Sequence, residues 1–229
     1  MRKTRLFFLL PLMLFATRSV NAQEVLRGEV KIELEPIYGA TVDEAYPLDN
    51  QAAYRRALEA AALFFSAQIY GWSFHYDVGE RARGIEENFE LNPLGEIHWS
   101  DPRLCVTDAR FENNILSAWL DYRPSDSQLS RLGMWRMGTI RTIQSAGYVP
   151  YSTLEGVSDW LAVRKTSLEE SARAAVRAML QGSERNRPKE VTGFISLLGF
   201  PVYGINSGRW AANARFRVNV TEIIPFAVY

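Results

Sequence analysis

One cysteine, two histidines and four lysines are all that 229 residues carry of three reactive side-chain types. Cys105 has no partner for an intramolecular disulfide, so the fold must stand on its core. Set between Leu104 and Val106, it reads as a buried strand thiol. His75 and His98 stand at no ligand spacing to each other or to Cys105, so a zinc site is not expected. Calcium-loop patterning is missing too. Gly193, Gly199, Gly204 and Gly208 are too widely spaced for a phosphate-binding loop, and no G-x-S-x-G elbow is present. Neither a metal nor a cofactor is therefore expected.

Long apolar runs are also scarce. After residue 22 none approaches the roughly 20 residues that a membrane-spanning helix needs. A basic bulk field is lacking as well. The 26 Lys and Arg balance 26 Asp and Glu over the whole chain. Four of those cations (Arg2, Lys3, Arg5 and Arg18) lie in the first 22 residues, which hold no acid. The remainder is mildly acidic, which argues against nucleic acid as a partner.

What is present begins with an address. Arg2, Lys3 and Arg5 precede the apolar run Leu6–Ala16, and Val20-Asn21-Ala22 places small residues where a signal peptidase reads. Residues 1–22 thus read as a cleavable leader, with Gln23 as the new N-terminus. No cysteine stands at the cleavage site, so a lipoprotein is not expected. The expected location is the periplasm, with the mature chain soluble or peripherally attached.

Residues 23–229 are expected to form a single α+β domain, with a weak boundary near 124–135. Glu24–Leu34 reads as an opening strand. Asp49 or Asn50 can cap a long Ala-rich helix over about 51–69, whose Ala60–Phe65 stretch is apolar nearly all round and implies burial on more than one side. Trp72–Val78 alternates strictly, with Trp72, Phe74, Tyr76 and Val78 inward and Ser73, His75 and Asp77 outward. Gly95–Trp99 reads as a short strand. Leu104–Phe111 and Ile115–Tyr122 flank Glu112-Asn113-Asn114, a hairpin signature. Residues 124–130 read as a polar break. Two capping boxes, at Ser152 and Ser167, predict a C-terminal helix pair over about 153–181, or one helix with a bend near Lys165. Arg209–Ile223 alternates as a strand with one wet face, which belongs in an antiparallel sheet.

The segment Ala52-Ala53-Tyr54-Arg55-Arg56-Ala57-Leu58-Glu59-Ala60-Ala61, set between two strands, resembles small bacterial envelope proteins associated with flagella and outer membranes. The resemblance covers under a quarter of the chain and assigns no residue a role.

The leading functional expectation is a non-catalytic envelope protein acting through contacts with another envelope protein or with itself. Tyr148, Tyr151, Trp160 and Tyr203 are the expected contact residues, because Tyr and Trp favour binding surfaces. One alternative is an exported hydrolase with a site at His75 and Asp77. Another is a small-ligand carrier, which needs a cavity of several hundred Å³.

Overall fold

The computed structural model describes residues 24–35, 46–80, 84–137, 140–150, 160–183 and 188–225. The expected leader, the Ser152 capping box and Tyr151 lie outside these residues. No helix among the described residues is long and apolar enough to cross a membrane.

Two antiparallel sheets enclose a layer of helices. The smaller sheet runs β1 (Leu26–Glu33), β5 (Ile115–Tyr122), β4 (Leu104–Glu112). The larger runs β3 (Asn88–Pro93), β2 (Trp72–Asp77), β7 (Pro188–Leu197), β9 (Arg209–Pro225), β6 (Arg141–Pro150), with β8 (Val202–Asn206) also on β9. Helix α1 (Asn50–Ile69) touches β1, β4 and β5 on one side and β7 on the other. Ala53, Ala57, Ala60, Ala61, Ala62 and Ala67 are all buried on it. Small side chains let two sheets approach one helix, so the alanine run reflects close packing as well as helix propensity. Asp49 caps the helix by accepting from Ala52 N at 2.7 Å.

Local sequence signals are realised in several elements. Asn113 and Asn114 take φ of 51° and 58° in the β4–β5 turn, the left-handed geometry that a tight hairpin needs. Trp72, Phe74 and Tyr76 face the core while Ser73, His75 and Asp77 face outward.

Four expectations need correction. Residues 95–99 are not a strand: Ile97 N donates to Ser66 Oγ at 2.8 Å, and Asp101 N closes a turn on His98 O at 2.9 Å. Backbone groups satisfied that way are not free for a ladder. The polar stretch after Pro124 contains a helix, α2 (Asp126–Met134), opened by Ser125 and Gln128. Each side chain of that pair bonds the other's backbone N–H, a capping box present in the sequence but not read there. Cys105 is exposed rather than buried. Leu104 takes the inward position on β4, and strand alternation then turns Cys105 to solvent.

The fourth correction concerns the expected helix pair. Trp160–Ser183 is one continuous helix, α3, and Ser167 lies inside it. Its hydroxyl donates to Val163 O and Arg164 O at 3.2 and 3.0 Å, so it serves the helix interior and caps nothing.

Helix α3 lies against β6 and β9. Ser145 Oγ donates to Ser171 O at 2.7 Å and Ser171 Oγ returns a bond to Ser145 O at 3.1 Å. At the other end of the fold, α2 is tied to α1. Gln128 Nε2 donates to Tyr70 Oη at 2.8 Å, and Trp135 Nε1 donates to Ile69 O at 3.1 Å.

Acid sensitivity follows from two carboxylates. Hydrogen bonds from Arg103 hold Asp101 below its ordinary range, and those from Arg27 do the same for Asp121. A folded-state value below the unfolded one gives stability that is present above about pH 4 and lost as pH falls further. Urea midpoints measured from pH 6 to pH 2.5 should therefore drop. Asp121→Asn should make that drop shallower; an acid limb unchanged in the variant would show that this pair does not contribute.

Candidate functional site

A concavity among the described residues lies where α1, α3, β2, β3 and the 95–99 turn meet. Its volume is about 410 Å³. Its floor is apolar, with Leu63 and Ala67 of α1, Trp72 and Leu91 of the strands, and Leu161 of α3. Its rim carries Glu59, Glu96, His98, Lys165 and Glu169, three acids against one lysine. The site is positioned by local bonds. Ser66, one turn beyond Ala62, holds Ile97 as described, and so sets the turn against α1. His98 Nδ1 stands 2.7 Å from Ser100 Oγ. Arg55 lies 4.9 Å over the Trp99 ring and pairs with Glu59 at 2.9 Å, bracing the outer wall.

Glu169 is the most perturbed group on the rim. Burial raises its carboxyl above the ordinary carboxylate range, although Lys165, 3.9 Å away, pulls the other way. Such a carboxylate gains most from a ligand that brings a proton donor or a positive charge, because the donor replaces lost hydration.

The contact residues expected from sequence are placed unevenly. Tyr148 is exposed on β6, with Arg209 4.6 Å over its ring. Trp160 is buried and Tyr203 is partly buried. They pack round Arg164, a guanidinium only 4% exposed, at 4.1 and 5.3 Å, and Trp210 adds a third ring at 5.3 Å. Arg164 also reaches across to Glu33 of β1 at 2.8 Å. The Tyr203 phenol donates to Arg164 O at 3.1 Å, and burial pushes its ionisation well above the usual range. Aromatic composition alone could not separate a binding surface from a cation cage, because both use the same rings.

His75 and Asp77 lie on the outer face of the larger sheet, away from the cleft. His75 Nε2 is 3.4 Å from Asp77 Oδ1, and Nδ1 is 3.5 Å from Glu190 Oε1. Ser73 shares that face, but its hydroxyl is 3.5 Å from Asn92 O, to which it donates. Glu190 was not legible as a partner, since it is 113 positions beyond Asp77 and arrives only through the β2–β7 pairing.

A protein-family model for a domain of unknown function matches residues 14–226. The chain belongs to that family. An uncharacterised protein of Treponema pallidum (strain Nichols) is 24% identical over 224 residues, spanning 93% of this chain and 91% of that one. The matched residues 14–226 span every described strand and helix. No solved structure matches the chain significantly.

Proposed function

We propose that the protein is an exported, non-catalytic component of the bacterial envelope, delivered by its leader to the periplasm, that acts by binding a partner protein in the α1–α3 cleft. The observation that carries this reading is the cleft itself, an apolar floor under an acid-rich rim. The occupant that fits is an apolar stretch of a partner bearing a Lys or Arg, its chain against Leu63 and Trp72 and its cation at Glu169. Charge complementarity at such a rim sets orientation and partner choice more than raw affinity.

The test is a photoreactive side chain placed at Leu161 in living cells, with a second placed at Trp119 on the outer face of β5. An adduct is expected from the cleft position and not from Trp119. Glu169→Gln should weaken it by roughly tenfold, the scale of one charge-assisted hydrogen bond at about 1.5 kcal/mol. Adducts of equal strength from both positions, or adducts indifferent to Glu169→Gln, would overturn the cleft reading. Export is tested separately: periplasmic protein should begin at Gln23, and recovery from the cytosol with the leader intact would remove that part.

The cleft volume also favours a second reading, a small-ligand carrier, since pockets for such ligands span roughly 300–1,000 Å³. A copurified mass seen by native mass spectrometry, and lost in Leu63→Trp, would favour the carrier over the protein partner.

A further inference from the structure

The outer face of the larger sheet carries a second constellation that the cleft does not use. Strands β2 and β7 pair so that Asp77 stands directly opposite Glu190, and His75 opposite Thr192. Across the β2–β3 ladder, Glu90 stands opposite His75. Two carboxylates facing each other on neighbouring strands repel, so this register costs stability unless a positive charge lies between them. His75 sits two pairs along, next on the same face, with one ring nitrogen turned to each carboxylate.

We propose that His75, Asp77 and Glu190 bind a divalent transition-metal ion, with zinc the best match to the donor set. One donor atom from each residue lies within 4.8 Å of the other two. Zinc bonds imidazole nitrogen and carboxylate oxygen at about 2.0–2.2 Å, which places tetrahedral donors roughly 3.5 Å apart. The imidazole reaches Asp77 from Nε2 at 3.4 Å and Glu190 from Nδ1 at 3.5 Å. Since an ion takes only one of these nitrogens, one carboxylate already stands at zinc spacing and the other must move to share it. Bringing all three donors from within 4.8 Å to that spacing takes rotation of the carboxylates, which are 36% and 24% exposed. The backbone beneath them is held by ladders on both sides of β2, so the three Cα positions are preset. Imidazole selects against calcium and magnesium, which take oxygen donors. Solvent completes the coordination on the open face, and Glu90 stands on the same face beside His75.

The site is independent of the cleft reading, because Trp72, Phe74 and Tyr76 of the same strand point to the opposite face. Failure of one leaves the other standing.

Isothermal titration of the full chain with zinc chloride, in a non-chelating buffer, tests the site. One equivalent should bind, and His75→Ala and Glu190→Gln should each weaken uptake at least tenfold. His98→Ala, which removes the only other imidazole, should leave it unchanged. Cobalt(II) reports the ligands directly: its visible absorption should intensify on binding and change in His75→Ala. Circular dichroism melts of each variant separate lost binding from lost folding, and Asp77→Asn serves if His75→Ala does not fold. Zinc uptake unaltered by His75→Ala, uptake lost in His98→Ala, or calcium competing on equal terms would each overturn the assignment.

Discussion

Gly147→Ala will unfold the protein at a markedly lower temperature, by roughly 6–12 °C, if α3 lies on β6 as described. A Cβ at residue 147 would stand 2.1 Å from Ser171 N, 2.4 Å from Ser167 O and 2.6 Å from Glu170 C. All three are backbone atoms of one helix, so no side chain can swing aside. Relief requires lifting α3 from the sheet, which also breaks the reciprocal Ser145–Ser171 bonds. Overpacking of this kind costs about 3 kcal/mol, and each kcal/mol moves the midpoint of a chain this size by about 2–4 °C. Differential scanning calorimetry reads the result. A midpoint within 1–2 °C of the parent (about 0.5 kcal/mol) would mean that helix and strand are further apart than this. Gly204→Ala is the control, because a Cβ there meets nothing within 4 Å.

Arg164→Met is expected to cost about 3 kcal/mol, toward the lower end of the range for breaking a buried ion pair from one side. The guanidinium is almost wholly enclosed, and Glu33, itself half-buried, would be left without its partner. Three ring contacts are lost with the charge. Arg164→Lys should recover little, since a compact ammonium cannot stack on Trp160 and reach Glu33 together. Pairing Arg164→Met with Glu33→Leu should restore a good part of the loss, because the stranded carboxylate is then gone. Urea midpoints followed by tryptophan emission measure all three. If Arg164→Met alone falls within about 1 kcal/mol of the parent, the cage is not a structural centre.

These two residues show where reading the sequence stops. Gly147 lies in a weakly strand-like stretch and announces nothing, because the helix it touches comes about twenty residues later. Arg164 sits among Val163, Lys165 and Thr166 with no local sign of burial. By contrast, the α1 cap, the β4–β5 turn and the faces of β2 were legible, because each depends on residues within a few positions of one another. The missed α2 was equally local: Ser125 and Gln128 have capping-box spacing, masked by the polar composition around them. The misread Ser167 box has the reverse lesson, since a serine followed by Glu170 satisfies the pattern equally well inside a helix, where its hydroxyl turns to carbonyls.

For the candidate sites the division is sharper. His75 and Asp77 were visible together, two apart on one strand, but Glu190 was not, and without it there are too few donors to consider an ion. The cleft is assembled from five separate elements and has no signature in any of them.

By itself the amino-acid sequence determined the alternation that sends Trp72, Phe74 and Tyr76 inward. It also determined the alanine run that makes α1 slim enough for the middle layer, and the balance of 26 basic against 26 acidic groups that leaves the chain without a net charge. Those follow from neighbours along the chain and from composition. The tertiary structure alone decided that Asp77 meets Glu190, that Arg164 is caged, and that an open cleft remains between α1 and α3. Strand order and helix docking bring together residues a hundred or more positions apart, and that choice is made by the burial of the whole core and by no local pattern.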